Sequence, residues 1–429
     1  MVKTPYERCL SRMFALHRFG IKLGLETIET ILSAVGNPQR DYRCIHIAGT
    51  NGKGSVAAML ATILTQAGYR TGRYTSPHLE RFNERICIDN APIDDEAVVA
   101  SCERIQDVQN LNRQPTFFEY TTAMALYEFS RRNVDWAVIE TGMGGRLDAT
   151  NTIRPALSIV TNISLEHRAY LGNTIAAIAA EKAGIIKAGV PVVTGVTQKS
   201  ARQCIIKTAE SRDAPVFLMG RDFRCRRQGG LKLTYHGSSH TWTDLELGLS
   251  GAHQVDNAAL VLAACEILTN AGLARLPLEA IGKGLKSSRW PGRLEIVSER
   301  PHLILDGAHN LMAARVLARH LSRYYAQRDI TLVIGVLDDK PSETILKDLA
   351  ASCRRAIVTQ PAIDRAIPAD RLAAIAHKYF PEVKIIPSVR QAVRSAVQES
   401  KAEDVICVAG SLYVVGEAKT ALREMGIGN

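Results

Sequence analysis

"HIAGTNGKGSVAAML", residues 46–60, decides how this chain is read. A generic phosphate-binding loop reads G-x-x-x-x-G-K-[ST]. Here Gly52-Lys53 is in place, but Ile47 stands five residues before Gly52, where the generic pattern has glycine, and the hydroxyl comes one place late, at Ser55, after Gly54. The β-rich run "CIHIA" (44–48) precedes the turn and the helical pattern "GSVAAMLATILTQAG" (54–68) follows it. Strand, Gly-rich turn, helix is the context a phosphate loop needs, because backbone N–H groups at a helix start can then approach an anion. Lys53 would supply a point charge, and the Ser55 hydroxyl could ligate Mg²⁺. Taken alone, the same letters also fit a strand-to-helix turn with incidental glycines.

Outward from the loop, β-rich runs alternate with helical patterns. "VDWAVIE" (134–140) and "ALSIVTN" (156–162) predict strands, "TIAAIAAEKAGIIKAG" (174–189) a helix and "VPVVTG" (190–195) another strand. This is the rhythm of a parallel sheet covered on both faces. Residues 220–250 differ: "FRCRRQGGLKLTYHG" and "TWTDLELGL" suggest a small antiparallel excursion, before helical patterns return at 252–272 and 277–287. "SRWPGRLEIV" (288–297) then interrupts, with Pro291-Gly292 as strong punctuation. A second α/β rhythm runs through "HLILDGAHN" (302–310), "ITLVIGVL" (330–337), "RAIVTQ" (355–360) and "DVICVAGS" (404–411), which puts a domain boundary near Arg293. Two doubly wound domains imply a site in a cleft near the carboxyl ends of strands.

Composition excludes several classes. With 46% hydrophobic and 22% charged residues over 429 positions, the chain has the profile of a soluble globular protein of two or three domains. No apolar run approaches the roughly 20 residues of a membrane helix. "MVKTPYERCLSRM" carries charges where a signal peptide is apolar. The nine cysteines are scattered and form no C-x-x-C pair, which points to free thiols in the cytoplasm and against zinc or disulfides. The net charge of +10 is spread along the chain, and its densest cluster, "GRDFRCRRQGG" (220–230), is short. A nucleic-acid binder would gather such charge into a stripe; a basic surface, or attraction of polyanionic small molecules, accounts for it better.

"AGTNGKGS" (48–55) is the loop form of the Mur-ligase superfamily, and the rest of the chain resembles its folate branch, the folylpolyglutamate synthases with the bifunctional bacterial dihydrofolate synthases. The matching segments are "FGIKLGLETI" (19–28), "SPHL" (76–79), "FNERI" (82–86), "TFFEYTTAMA" (116–125), "GGRLDATN" (144–151), "EKAGIIKAGVPVV" (181–193), "WPGR" (290–293), "DGAHN" (306–310) and "GSLYVVGE" (410–417). With the loop they occur in the family's order and span nearly the whole chain. The resemblance implies a P-loop ligase domain over 1–290, with a parallel sheet, the antiparallel excursion and a pterin pocket, followed by a smaller Rossmann-like α/β domain over 291–429.

It also implies a site. ATP would be held by Gly49, Thr50, Asn51, Gly52, Lys53, Gly54 and Ser55, by Asn257 of "HQVDNAALVLAA" at the base or ribose, and by Arg293 and Asp306. Mg²⁺ would be held by Ser55, Ser76, Glu140, His167 and Lys182. Lys53, His167, Lys182, Arg293 and His309 would act in catalysis. The pterin pocket would draw on "LGL" (23–25), Thr116, Phe118, Leu147, Asp148 and Ala149. Lys182 also has a reading from periodicity: Ile175, Ile178, Lys182 and Ile185 share one helix face. A lysine on an apolar stripe has its charged form disfavoured, and the resemblance implies that this one takes up CO₂ as a carbamate. A lysine snorkelling to solvent or pairing with Glu181 fits the same position.

The chain departs from the family's usual pattern at Lys22, where some bifunctional members have aspartate, at Glu166-His167, usually Asp-His, at "ETGMGG" for "EVGLGG", and at Leu311 for proline. The expected activity is an ATP-dependent amide ligation of L-glutamate to dihydropteroate and to reduced folates, by a monomer with small-molecule substrates and neither nucleic acid nor membrane as partner. Three alternatives stay open on the sequence: a polyglutamate synthase only, a nucleotide-switch ATPase, and a sibling ligase for a cell-wall nucleotide.

Overall fold

The strand that enters the loop lies in the middle of a large sheet in the computed structural model, which describes residues 3–20, 22–109, 111–229 and 231–428. Ile21 of the 19–28 segment and Gly230 of the basic 220–230 stretch fall outside the described residues. The chain divides into two units. One comprises Met1–Ser76, Phe82–Gly248 and Gln254–Arg289; the other comprises Pro77–Arg81, Leu249–His253 and Trp290–Asn429.

The first unit is built on β1 (Arg43–Ala48), β2 (Thr71–Tyr74), β3 (Ile86–Ile88), β4 (Ala91–Pro92), β5 (Trp136–Glu140), β6 (Leu157–Val160), β7 (Val192–Thr194) and β8 (Val216–Leu218). The order is β4-β3-β2-β5-β1-β6-β7-β8. Strands from β2 to β8 pair in parallel, and β3 and β4 add an antiparallel edge. β5 and β6 are buried throughout, as continuous apolar runs in a two-sided sheet require. One face packs on Pro5–Ala15, Asp95–Gln106 and Phe117–Arg131 beside β2 and β5, and on Ile175–Ala183 and Lys199–Glu210 beside β6 and β7, because Cys44, Ala48, Ala137, Ile139, Val160 and Val192 all point to that side. The helix after the loop, Lys53–Gln66, has Ser55 to Leu64 all buried, as expected of a helix apolar on every side.

One sequence expectation changes and another is borne out. The helix predicted over 174–189 ends at Ala183. Gly184 sits so close to the Arg146 backbone that a Cβ would overlap Arg146 Cα, so the chain turns off there and Ile185 lies past the helical stripe. The 220–250 excursion is a separate antiparallel sheet of β9 (Arg224–Gly229), β10 (Lys232–His236) and β11 (Thr241–Glu246), with β10 central.

The C-terminal unit carries β12 (Glu295–Glu299), β13 (His302–Leu305), β14 (Ile330–Ile334), β15 (Arg355–Gln360), β16 (Glu382–Ser388) and β17 (Val405–Ala409), in the order β12-β13-β17-β14-β15-β16. Only β12 is antiparallel. Apolar cores cover both faces. Glu80, from the short segment 77–81, accepts hydrogen bonds in this unit from Thr420 Oγ1 at 3.0 Å and from Arg423 Nη2 at 2.5 and 2.6 Å. All nine cysteines are free. Among the described residues no helix is long and apolar enough to cross a membrane.

Candidate active site

β1 pairs with β5 on one side and β6 on the other, so the direction in which strands are added reverses beside it. Such a switch point leaves a crevice at the carboxyl ends of the strands. The loop 49–55 fills this crevice. Gly49 leaves β1 at φ +149°. Thr50 N–H donates to Asn162 O at 2.9 Å, and Asn51 N–H to Asn162 Oδ1 at 3.0 Å. Asn162 Nδ2 and Thr161 Oγ1 both donate to Asn51 O, at 2.9 and 2.7 Å. Thr50 Oγ1 accepts from Ser164 N–H at 3.0 Å. The loop is thus clamped to the segment that follows β6.

Lys53 opens the loop helix, and its ammonium folds back to donate to Gly49 O at 3.1 Å and Thr50 O at 3.3 Å. It lies 3.7 Å from Glu140 Oε1. Glu140 is the last residue of β5, in register with Ile47, and its other oxygen accepts from Ser76 N–H at 3.3 Å. Ser55 is buried, and its hydroxyl accepts from Gln254 Nε2 at 3.2 Å. Gln254 Oε1 in turn accepts from Asn257 Nδ2 at 2.8 Å, and Asn257 lies against Gly52.

Lys182 is 1% exposed. It neither snorkels nor pairs with Glu181, which binds Arg146 at 2.8 Å instead. Its Nζ donates to Gly49 O and to Glu166 Oε1, both at 2.8 Å. Burial lowers the Lys182 pKa, against the pull of Glu166. For Glu166, burial raises the pKa, but Lys182 foremost, then Lys53 and His167, outweigh it and hold the carboxyl at about 2. Glu166, which stands where the family usually has aspartate, is therefore the carboxylate that anchors the buried lysine. His167 follows in a left-handed conformation (φ 45°) and is exposed.

The residues expected to form the pterin pocket are already engaged within the protein. Thr116 caps the helix Phe117–Arg131 in a reciprocal box with Glu119, which Arg113 clamps at 2.7 and 2.9 Å. Phe118 is half-buried, its ring tilted against Tyr74 at 6.0 Å. Leu23 is exposed and Leu25 half-buried. Leu147 is half-buried and Ala149 buried. Asp148 is buried; Oδ2 accepts from Met143 N–H at 2.8 Å, and Oδ1 from Thr150 N–H at 3.1 Å and Thr150 Oγ1 at 2.5 Å. Burial raises its pKa against these bonds. Arg146 N–H donates to Glu181 O at 2.7 Å, which pins this loop to the helix that carries Lys182. His46 of β1 is fully buried and its Nδ1 meets no hydrogen-bond partner among the described residues, a burial that costs about 1–3 kcal/mol.

Arg293, Asp306 and His309 lie in the C-terminal unit. Asp306 ends the turn from β13; its oxygens accept from Leu294 N–H at 2.8 Å and Ala308 N–H at 2.9 Å, and burial raises its pKa against the opposing effect of Arg293. Arg293 Nη1 donates to Gly292 O at 3.1 Å, His309 Nδ1 lies 2.7 Å from Gly307 O, and Asn310 caps the helix Leu311–Tyr324. Leu311, the departure from proline, is the first residue of that helix.

The Mur ligase middle domain matches residues 47–265, half of the chain, and the Mur ligase glutamate ligase domain matches residues 292–412. The chain belongs to the Mur ligase family. Within the family, it is 35% identical to the dihydrofolate synthase/folylpolyglutamate synthase of Bacillus subtilis, over 98% of this chain and 100% of that one. The structure of Escherichia coli FolC in complex with DHPP and ADP matches it with a TM-score of 0.91 at 31% identity, covering 99% of both chains. The Yersinia pestis bifunctional folylpolyglutamate synthase/dihydrofolate synthase, complexed with AMPPNP and a Mn ion, matches with a TM-score of 0.87 at 30% identity, covering 98% of both. These matches place the chain in the folate branch of the Mur ligases, as an ATP-dependent ligase.

The fold brings the loop, Ser76, Glu140, Lys182 and Asn257 into one connected region of the first unit. Among the described residues no three His, Cys, Asp or Glu side chains cluster as a metal centre. The donors offered beside Lys53 are hydroxyl and carboxylate oxygens, hard ligands that suit Mg²⁺, which commonly completes its shell with phosphates and water. Three residues of this Mur ligase site were not anticipated: Thr161 and Asn162, which read as the end of a strand, and Gln254, which read as one turn of a helix.

Proposed function

We propose that this Mur ligase joins L-glutamate both to dihydropteroate and to reduced folates, at one ATP site. A carboxylate oxygen of the acid attacks the γ-phosphorus of ATP, the bond to the β-phosphate oxygen breaks, and ADP leaves. The amine of glutamate then attacks the acyl carbon, loses a proton, and inorganic phosphate departs as the amide forms. The observation that carries this reading is the clamped loop 49–55, whose Lys53 stands beside Glu140 at the switch point of the sheet. It is supported by relatives whose structures hold DHPP with ADP, or AMPPNP with manganese.

In this scheme the loop N–H groups and Lys53 offset phosphate charge, and Asn257 contacts the base or ribose. Ser55, Ser76, Glu140, His167 and Lys182 are the ligands proposed for Mg²⁺, which when bound would neutralise the polyphosphate. Arg293, Asp306 and His309 are assigned to the phosphates and the transferring group. Phe118, Leu147 and Ala149 would line the pterin, with Thr116 and Asp148 shaping the pocket. Catalysis is then mostly positioning and charge compensation.

One assay tests the reading. Phosphate release with ATP and Mg²⁺ alone should be slow, and should rise when glutamate is added with either dihydropteroate or a reduced folate. Extension of the reduced folate with no ATP-dependent product from dihydropteroate would make the enzyme a polyglutamate synthase only. Release indifferent to both acids would point to a nucleotide switch.

The carbamate reading of Lys182 is tested separately. The neutral amine would attack the carbon of CO₂ and lose a proton, and its bond to Glu166 would have to yield. Activity is expected to fall in CO₂-free buffer and return with bicarbonate, with a mass gain on the peptide that contains Lys182. Constant activity and an unmodified lysine would leave the Glu166 ion pair as the working state.

A further inference from the structure

His46 takes no part in the reaction outlined above, yet it joins two parts of the site. Its Nε2 lies 2.8 Å from Thr150 Oγ1, and Thr150 Oγ1 donates to Asp148 Oδ1 at 2.5 Å. A hydroxyl has one proton. Thr150 gives its proton to Asp148, so the bond between Thr150 and His46 is donated by the imidazole. That sets the tautomer: Nε2 carries the proton and Nδ1 a lone pair, which meets no donor among the described residues. Burial, with Lys187 adding to it, pushes the imidazole down to about 3 and keeps it neutral. Beyond Asp148 the chain of bonds reaches Met143 N–H and Gly142, three and two residues past Glu140. At its other end His46 is two residues from Ala48, where β1 gives way to the phosphate loop.

A purely apolar strand would fill the same place more simply. His46 is flanked by Cys44, Ile45, Ile47 and Ala48, all buried, and an aliphatic side chain there would leave no lone pair unmet. We propose that His46 is a positioning residue for the acid substrate: through Thr150 and Asp148 it holds the loop 141–150, with Leu147 and Ala149, in register with the phosphate loop that β1 carries. The substrate carboxylate must meet the γ-phosphate in line, so a small rotation of this loop would misplace the acid while leaving the ATP contacts intact. The inference rests on the reaction proposed above, in which residues 147–149 border the pterin.

The test uses the full-length enzyme and four variants: His46→Phe, Thr150→Val, the two combined, and Thr150→Ser, which keeps the hydroxyl. His46→Phe and Thr150→Val should each raise KM for dihydropteroate about tenfold, as loss of an orienting partner typically does, with KM for ATP and for glutamate nearly unchanged. The double variant should match the singles, because the links act in series, and Thr150→Ser should behave as the parent enzyme. Equal rises in all three KM values, or additive losses in the double variant, would overturn the proposal. If His46→Phe does not fold, Thr150→Val compared with Thr150→Ser decides alone. Long-range ¹⁵N–¹H spectra should show Nδ1 of His46 unprotonated, and a proton there would also overturn it. A parent enzyme that makes no product from dihydropteroate would defeat the reaction reading instead; fluorescence titration of dihydropteroate into parent and variants would still report on the relay, with equal affinities counting against it.

Discussion

Lys182→Ala is expected to lower kcat about 100-fold, on the scale of losing a group that orients a metal or phosphate site, and to lower stability by about 3 kcal/mol, because a buried ion pair with one partner removed leaves an uncompensated charge. The charge left behind is Glu166, whose carboxylate accepts from Lys182 Nζ at 2.8 Å. Gly49 O loses the shorter of its two lysine bonds at the same time and keeps the one from Lys53 at 3.1 Å, so the first residue of the phosphate loop is loosened along with the acid. The two losses can be separated. Adding Glu166→Gln to Lys182→Ala removes the stranded charge and should restore most of the lost stability in thermal unfolding, while kcat stays low. Recovery of kcat together with stability would reduce Lys182 to a structural ion pair.

Gly49→Ala should raise KM for ATP by at least about tenfold, and more if the whole loop moves. The backbone at Gly49 has φ +149°, a conformation side chains rarely adopt, and a Cβ there would overlap Thr161 Oγ1. That hydroxyl cannot simply withdraw, because it donates to Asn51 O at 2.7 Å. The alanine would therefore push apart the clamp that aims the loop N–H groups at an anion. Thr161→Ala in the same chain should recover part of the affinity, since Asn162 Nδ2 still holds Asn51 O, but not all of it, because the backbone conformation remains unfavourable. Isothermal titration with a non-hydrolysable ATP analogue would check both variants, and unchanged affinity in Gly49→Ala would contradict the close packing against Thr161.

The central strands and the loop were legible because their signals are local. β5, β6, β14 and β17 are buried on both faces and so appear as short, mostly apolar runs, and β1 is buried after Arg43 with His46 as its one basic interior residue. β16 could not be read that way: it is an edge strand in which Glu382 alternates with half-buried and exposed positions, with little contrast between its faces. The early end of the helix at Ala183 depends on the approach of Arg146 from 38 residues away, which no local window contains. The same divide runs through the site. Lys53, Glu140 and Lys182 stand at positions where a strand end or an apolar stripe makes a charge conspicuous. Thr161, Asn162 and Gln254 are ordinary polar residues whose importance comes only from what the fold sets against them. Glu166 was noticed as a departure in length, but its partner became visible only once Lys182 was seen to point away from solvent.

Five passages of the chain link the two units, because Pro77–Arg81 and Leu249–His253 group with the C-terminal residues. Modularity is limited accordingly. A chimera cut at residue 290 would import a foreign C-terminal segment but keep the native Glu80, the residue to which Thr420 and Arg423 are matched. Recombination within this family would have to exchange the tail and the two small inserts together, or else find partners whose inserts already agree. Lineages would thus inherit the 77–81 segment and the last helix as one co-adapted block, although some 340 residues of sequence separate them.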